Sequence, residues 1–493
     1  MSRSAMPALG RLRRVPLFSA CLGMALIASA DAHATTANAA NEHPVGSRFG
    51  SFDRMRASAP TRDPLSQTNG AARPATPSGT TITVTTCNDS GAGSLRNAVS
   101  VAASGDTIDL ASLACSTITL TSGAIDIAQN DLLLIGPGAF QLAIDGGASQ
   151  SRLDRVFDHS GAGTLAIDYL TITDATYATY AAGGVARGGC IRSAGHVSML
   201  LSIVSSCRIA QGGKNVATGG GLFAAEGLDL VASIVIDNVA YSPGGGGNAG
   251  GAATFGPLTA KYSTIANNTA YYIGGLFANS DNSATGSLIE KTTISGNSAF
   301  EIGGVGLTGD AAATIRDSTV SANRGDFVVG GILSSAPLHL HNSTVVFNEA
   351  ASAVADTGIL DVGLVLTGPF ADLQSSIVAN NHVDLSETPR DISVQGTGFV
   401  AGNNNLVTFT DVAMPADTIY ADPLLYPLAF NGGVTQTHAL TDASPAIDAG
   451  NNSAALTYDQ RVLPRVVGAD ADIGAFERQG PADSEYIFID GFD

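Results

Sequence analysis

A short pattern repeats through the middle of the chain, and it limits the possible folds more than any other feature. Each copy has Ile or Val, then two further residues, then Asn. The Asn residues recur every 25 to 33 positions, at Asn238, Asn268, Asn297, Asn323, Asn348 and Asn381. Cys207 stands one period before the first of them. A period of this length is typical of solenoids and related arrays.

Pairs of glycine followed by an apolar residue form a second repeat between the Asn positions. They occur at Gly183-Gly184, Gly220-Gly221, Gly250-Gly251, Gly274-Gly275, Gly303-Gly304 and Gly330-Gly331. Glycine at this density excludes TPR, ankyrin and HEAT arrays, because each of these needs long amphipathic helices. Short β-branched runs between the glycines instead suit coils that rise by about 4.8 Å each. We therefore predict an all-β fold, a right-handed single-stranded parallel β-helix with a short N-terminal capping helix.

The recurring Asn predicts an internal ladder along this solenoid. An Asn amide can bond the backbone of its own turn and the amide of the next coil, and Asn also tolerates the left-handed conformation of a sharp corner. We assign the ladder a structural role, with the neighbouring Ile and Val stacked into a core.

The region from residue 80 predicts a cap and the first coils. Thr81 to Val84 form a strand pattern, and Ser94 is placed to cap a short helix that ends at Gly105. The apolar positions Leu95, Ala98, Val99 and Ala102 fall on one helical face. We expect this face to cover the open end of the first coil.

Composition then limits the function. Lys and Arg number 24 against 43 Asp and Glu, a formal charge of −19. This charge repels phosphate backbones, so we predict no nucleic-acid partner. Only 14% of the residues are charged, and no stretch after the N-terminal segment is long and apolar enough for a transmembrane helix.

The N-terminal segment has the pattern of a signal peptide. Four Arg residues precede an apolar run, and Ala32-His33-Ala34 has the spacing that a signal peptidase recognises. We divide the chain into a signal peptide (1–34), a flexible leader (35–79), a cap with the first coils (80–148), β-helix repeats (149–400), a C-terminal region (401–478) and a tail (479–493). The predicted location is secreted or at the cell surface, in association with an outer membrane.

Four cysteines remain after cleavage: Cys87, Cys115, Cys190 and Cys207. An even number in an exported chain predicts disulfides, and two local pairs are the simplest of the three possible connectivities. No CxxC pair or histidine cluster accompanies these cysteines, so a zinc site built on them is not predicted.

Several segments resemble known bacterial surface proteins. The alternation of Gly-Gly-apolar with apolar-x-x-Asn, as at 274–277 and 263–270, resembles the repeats of chlamydial polymorphic outer membrane proteins. Residues 89–99 and 105–108 resemble the N-terminal cap of that wider group. The segments Asp-Pro-Leu-Leu (422–425), Ser-Pro-Ala-Ile-Asp-Ala-Gly (444–450) and Asp-Ile-Gly-Ala-Phe-Glu (472–477) resemble the choice-of-anchor Q domain. The resemblance implies a cell-surface or secreted β-helix.

Candidate chemistry is sparse. Polysaccharide lyases and hydrolases need clustered carboxylates with a basic residue, and the local candidates are Asp229 with Asp237, Glu290 with Lys291, and Arg316 with Asp317. His339 and His341 project to one strand face. Two histidines without a third ligand are more often surface residues, so no metal site is predicted there.

Two further sets of residues have a functional and a structural interpretation. One is a polar C-terminal block: Asp448, Asp459, Arg461, Arg465, Asp472 and Glu477. It suits either a Ca²⁺ or ligand site or an ion-pair network that anchors the solenoid end, and we favour the network. The other is a column of aromatic residues ahead of the glycine pairs: Tyr180, Tyr271, Phe300 and Phe327. It suits either sugar stacking or ring-on-ring packing, and we favour packing.

These observations predict an exported β-helix that is adhesive, glycan-binding or structural. Its expected partner is an extracellular glycan or a host or cell surface. We expect no catalytic residues, and no cofactor other than a weakly indicated Ca²⁺ ion. The alternative is a lyase or glycoside hydrolase that acts on acidic polysaccharide.

Overall fold

In the part of the chain that a computed structural model describes, the fold consists of five parallel sheets and one short helix. That part comprises residues 79–147, 153–179, 185–211, 217–242, 246–281, 283–350, 362–383 and 390–480. The predicted signal peptide, nearly all of the leader and most of the tail lie outside these residues, as do Tyr180 and the Gly183-Gly184 pair.

Three long sheets form the walls of the solenoid, and every strand pair within them is parallel. Sheet 1 contains Thr81–Thr83, Asp106–Asp109, Leu132–Ile135, Thr164–Asp168, His196–Leu200, Gly227–Val231, Leu258–Lys261, Leu288–Glu290, Ala313–Arg316, Leu338–His341, Phe370–Gln374 and Phe399–Asn403. Sheet 2 contains Thr117–Thr119, Ala143–Asp145, Thr171–Thr173, Ile203–Ser205, Ile234–Ile236, Thr264–Ala266, Thr293–Ser295, Thr319–Ser321, Thr344–Val346, Ile377–Ala379, Leu406–Val407 and Ile419–Tyr420. Sheet 3 contains Ile125–Ile127, Phe157–His159, Ile191–Ser193, Leu222–Ala224, Ala252–Thr254, Leu276–Ser280, Val305–Gly309, Ile332–Ser334, Leu364–Leu366 and Ile392–Val394.

Two smaller parallel sheets lie in the connection from sheet 2 to sheet 3. Sheet 4 contains Thr176–Thr179, Arg208–Gln211, Val239–Tyr241, Thr269–Ala270, Ser298–Ala299, Arg324–Gly325, Glu349–Ala350 and His382–Val383. Sheet 5 contains Ala186–Arg187, Ala217–Thr218 and Gly247–Asn248. The chain is thus an all-β parallel solenoid of about ten turns, which confirms the predicted fold class.

One continuous apolar core runs through the coils, since alternate residues of each strand point inward. In the strand Leu338–His341, for example, both Leu are buried and both His face outward. Successive coils stack these inward residues in register, as in the column Val235, Ile265, Ile294 and Val320.

The structure places the six recurring Asn in one buried column. Asn268 Nδ2 donates to Asn297 Oδ1 at 2.9 Å and to Val235 O at 2.9 Å, and the same pattern repeats along the column. Cys207 begins the column, because its backbone N–H donates to Asn238 Oδ1. Asp391 ends it by accepting from Asn381 Nδ2.

The left-handed corner lies one residue earlier than the sequence pattern suggested. The residues before the ladder Asn have a positive φ, for example Asp237 (57°), Asn267 (54°) and Asn380 (55°), whereas none of the six ladder Asn does. Left-handed backbone is unfavourable for most side chains, so this slot tolerates Asn, Asp and Gly best. The ladder Asn therefore supplies hydrogen bonds and leaves the corner conformation to its neighbour.

The glycine pairs lie against the Asn column. A Cβ added to Gly251 would lie 2.7 Å from Gly275 O and 3.0 Å from the Asn268 side chain, and the equivalent glycines of other coils are equally crowded. Both sequence repeats therefore arise from one contact in each coil. The segment with the glycine pair passes so close to the Asn column that a side chain would not fit there.

The predicted helix covers the first coil, but it is shorter than expected. It spans Leu95–Val101, and Ser94 accepts from Asn97 N at its N-terminus. Leu95, Ala98 and Val99 are buried in the main core, and Ala102, the predicted last apolar position, is only partly buried. The backbone becomes extended at Ala102, before Gly105, and Gln129 Nε2 donates to the carbonyls of Val99 and Ala102 at this end of the helix.

Both disulfides form between the nearest cysteines. Cys87 bonds Cys115 and Cys190 bonds Cys207, across separations of 28 and 17 residues. The prediction of two local pairs is confirmed. The second bond occupies the first position of the Asn column.

The C-terminal region runs back along the outside of sheet 2. Its contacts reach several coils, since Thr293 Oγ1 donates to Gln436 O and Gly474 N donates to Ser375 O. A second apolar cluster joins Ile377 of sheet 2 to Phe476. This face of the solenoid is therefore covered, whereas the outer face of sheet 1 carries partly exposed polar side chains such as Arg316 and His339.

Candidate functional site

A row of charged side chains crosses the outer face of sheet 1. Lys261, Glu290 and Arg316 occupy equivalent positions in consecutive coils because their strands pair in register. Lys261 Nζ lies 3.3 Å from Glu290 Oε2, and Arg316 Nη2 lies 3.0 Å from Glu290 Oε1. Burial raises the pKa of Glu290, but the Arg316 hydrogen bond and the charges of Arg316 and Lys261 outweigh it, so the net pKa is lowered. Glu290 is therefore an ionised carboxylate held between two cations.

A cluster of two histidines and one aspartate follows on the next two coils. His341 Nε2 lies 3.0 Å and His339 Nδ1 lies 3.4 Å from Asp372 Oδ2, and Gln374 Nε2 donates to the same oxygen at 3.0 Å. Burial raises the pKa of Asp372, but the hydrogen bonds from His341 and His339 outweigh burial, and the net pKa falls below its usual value. Asp372 is thus ionised, and three donors converge on one of its oxygens.

Two phenylalanines extend this cluster at the edge of the sheet. Phe370 lies in contact with the His339 ring, with 5.8 Å between the ring centroids. Phe399, one coil further on, stacks on Phe370 and is 58% exposed. We call the eight side chains together the sheet-1 polar face: Lys261, Glu290, Arg316, His339, His341, Phe370, Asp372 and Phe399.

The structure separates the residue pairs that the sequence suggested. Glu290 and Arg316 face outward and pair with each other, whereas Lys291 and Asp317 lie at the next position, the corner toward sheet 2. There Lys291 Nζ lies 2.7 Å from the fully buried Asp317 Oδ2 and also donates to Tyr458 O. These corner residues therefore hold the C-terminal region against the solenoid.

Asp229 and Asp237 also lie apart. Asp229 is on the outer face of sheet 1, where its carboxylate lies 3.0 Å from His196 Nε2. Asp237 occupies a left-handed corner after the sheet-2 strand Ile234–Ile236. The two carboxylates therefore do not form a catalytic pair.

The C-terminal block forms a largely buried network with the backbone and with itself. Arg461 Nη2 lies 2.8 Å from Asp459 Oδ2, and the Arg461 guanidinium lies over the Phe476 ring. Arg465 donates to the carbonyls of Asp472 and Gly474. The carboxylate of Glu477 accepts from the backbone of Val467 and Asp472, and Asp448 N donates to Asp472 Oδ1. This geometry favours the structural interpretation, although the block lies along sheet 2 and not across the solenoid end.

The aromatic column packs on itself. Tyr271 and Phe300 stack with centroids 4.8 Å apart, and Phe300 and Phe327 stack at 5.3 Å with nearly parallel planes. Tyr180 lies outside the described residues. A sugar would need the ring faces that these residues present to one another, so the arrangement favours packing.

Sequence reasoning missed Lys261, Phe370, Asp372 and Phe399. Each is a single residue in an ordinary strand, and its partner lies one coil away. Asp372 could have been found only from its pairing with His339 in the neighbouring strand. That pairing cannot be predicted without knowing where the chain returns to sheet 1 after the intervening loop.

Comparisons with known proteins add little. No protein-family model matches the chain, and a search of curated proteins finds no match. Among solved structures, the chain is similar to the crystal structure of pectate lyase Pel9A, with 13% identity and a TM-score of 0.38. The match covers 78% of this chain and 91% of that chain. Such a distant likeness carries no information on activity.

Within the described residues, no helix is long and apolar enough to cross a membrane.

Proposed function

We propose that this protein is an exported β-helix that binds a glycan on the sheet-1 polar face without catalysis. The observation that carries the proposal is the combination, on one rigid sheet, of paired charges with the exposed Phe399 ring. Paired polar groups offer hydrogen bonds to sugar hydroxyls, and an exposed ring offers an apolar face.

Export is supported by the disulfides and by the N-terminal segment. Two disulfides in one chain are typical of oxidising compartments outside the cytosol. The Arg-rich start, the apolar run and Ala32-His33-Ala34 match a signal peptide. The choice-of-anchor Q and polymorphic outer membrane protein resemblances favour the cell surface as the destination.

The charge balance favours a neutral glycan. Lys261 and Arg316 flank Glu290, and Asp372 lies between two histidines, so the polar face has no excess of fixed positive charge. The whole chain has a formal charge of −19. A polyuronate would therefore be repelled at long range, and the cations of this face are already paired with Glu290.

The positions of the two carboxylates argue against hydrolysis on this face. The strands that carry Glu290 and Asp372 are three steps apart in sheet 1, which separates the backbone positions by about 14 Å. Glycosidases place their two carboxylates about 5 to 9.5 Å apart. Both carboxylates also have lowered pKa values, so neither suits a general acid.

A binding assay on immobilised mature protein tests the proposal against neutral and uronate polysaccharides, each with and without Ca²⁺. We expect binding of a neutral glycan, weakened about tenfold by Phe399→Ala, which corresponds to the loss of one good aromatic contact. Phe140→Ala is the matched control, since Phe140 is 90% exposed in a turn distant in sequence from this face. The proposal fails if no glycan binds or if both variants bind like the wild type. Release of unsaturated ends or reducing sugar would establish the lyase or hydrolase alternative in its place.

A further inference from the structure

His339, His341 and Asp372 bring three potential metal ligands to one point on sheet 1. Among the described residues they form a group in which one ligand atom from each side chain lies within 4.8 Å of the other two. The two His come from one strand and Asp372 from its neighbour in the next coil. Their side chains are 34%, 17% and 22% exposed, so an ion can reach them from solvent.

We propose that His339 Nδ1, His341 Nε2 and an Asp372 carboxylate oxygen bind a late first-row divalent metal, with Zn²⁺ as the expected ion. Zn²⁺ bonds His nitrogen and Asp oxygen at about 2.0 to 2.2 Å, so two ligands of a tetrahedral site are about 3.3 Å apart. The two nitrogen-to-Asp372 distances, 3.0 and 3.4 Å, already match this spacing. One ring nitrogen of each histidine lies within 4.8 Å of the other, and metal binding requires a ring rotation that brings the two nitrogens to about 3.3 Å.

The surroundings favour a metal site over a simple hydrogen-bonded cluster. Strand alternation holds both imidazoles on the same side of a rigid sheet, which reduces the cost of bringing them together. Gln374 Nε2 donates to the Asp372 carboxylate, the kind of outer contact that orients a metal-binding carboxylate. Metal binding needs the free lone pairs of His339 Nδ1 and His341 Nε2, so both imidazoles would shift their proton to the other ring nitrogen.

The ligand set also selects the ion. Two imidazole nitrogens suit Zn²⁺, Ni²⁺, Cu²⁺ or Co²⁺, whereas Ca²⁺ and Mg²⁺ prefer six or more oxygen ligands. Three protein ligands leave at least one position open to water or to an exogenous ligand, as in catalytic and ligand-binding zinc sites. The site does not depend on the proposed glycan binding.

Zn²⁺ titration by calorimetry on the mature chain, purified without a polyhistidine tag, tests the site. We expect one equivalent to bind to the wild type, and affinity to fall at least about a hundredfold in His341→Gln and in Asp372→Asn, since each loses one of three ligands. His196→Gln is the matched control, because His196 also pairs with an Asp on sheet 1 but, among the described residues, belongs to no group of three potential ligands. Its affinity should equal that of the wild type.

Co²⁺ absorption gives an independent measurement. An intense visible band is expected for tetrahedral Co²⁺ in the wild type and in His196→Gln, and its loss is expected in His341→Gln. Circular dichroism without metal establishes that each variant is folded. The proposal is overturned if the wild type binds no Zn²⁺, or if folded His341→Gln and Asp372→Asn bind it as the wild type does. Glycan binding measured with a chelator present separates this outcome from failure of the proposed function.

Discussion

Replacement of Asn297 by Ala tests the energy of the Asn column. The Asn297 side chain is fully buried and makes four hydrogen bonds. Its Nδ2 donates to Ile265 O and Asn323 Oδ1, and its Oδ1 accepts from the backbone N and the Nδ2 of Asn268. At about 1 kcal/mol for each bond, the variant should lose about 4 kcal/mol of unfolding free energy.

Guanidinium unfolding followed by far-ultraviolet circular dichroism measures this loss, since the chain has no Trp to report by fluorescence. Midpoints are compared only where the denaturant slope is unchanged, because a solenoid can unfold in parts. The control is Asn267→Gly, which changes the exposed neighbour at a left-handed position where the next coil has Gly296. We expect the control to stay within about 0.5 kcal/mol of the wild type. Equal stability of Asn297→Ala and the control would refute the energetic importance of the column.

Asn297→Asp should be more damaging than the Ala change. It retains the acceptor oxygen but removes the Nδ2 donor, and it buries a carboxylate between two amides. Asp391 is tolerated at the end of the column because the backbone N–H groups of Asn381, Thr408 and Phe409 all donate to it. Even there, burial raises the pKa of Asp391 to about 6 despite those bonds. If Asn297→Asp were as stable as the wild type at pH 7, this account of the column would be wrong.

Three further predictions concern the rest of the structure. Burial lowers the pKa of His438 to about 4, against 6.5 in the unfolded chain, although its hydrogen bond to Tyr426 O opposes the shift. The stability contributed by the neutral ring is therefore present above pH 6.5 and is lost as the pH falls toward 4. Across that pH range, denaturant unfolding should show that the wild type loses about 3 kcal/mol more than His438→Gln. The double change Cys190→Ser and Cys207→Ser should cost about 3 kcal/mol in the same assay, by the entropy of the opened loop. Thiol titration of the denatured, unreduced mature protein should find no free thiol, and two or more reactive thiols would contradict the assignment. Leu95→Asp should uncover the first coil and cause aggregation, which light scattering measures. A monomeric variant with wild-type stability would show that the helix does not protect the N-terminal end of the solenoid.

Local patterns were enough to predict the solenoid itself. The spacing of the Asn residues, the glycine pairs and the β-branched runs all arise from contacts repeated in every coil, so each coil carries its own copy of the signal. The helix N-cap at Ser94 and the two local disulfides are likewise short-range features. The corner conformation was assigned to the wrong residue because Asn267 and Asn268 are chemically alike, and only the backbone shows which one turns the chain.

The sheet-1 polar face was decided by register between coils. Repeat lengths vary from 25 to 33 residues because the segments between strands differ in length: seven residues separate Ser280 of sheet 3 from Leu288 of sheet 1, whereas three separate Gly309 from Ala313. The sequence does not state where each segment returns to the next strand. That return sets Asp372 beside His339 and His341 and pairs Glu290 with Arg316, while adjacent Lys291 and Asp317 lie at the corner against the C-terminal region. Alternation along a strand can be read locally, but neighbours across strands depend on the whole length of chain between them. The sequence by itself therefore determined the coil, and the tertiary structure alone decided which side chains of different coils meet.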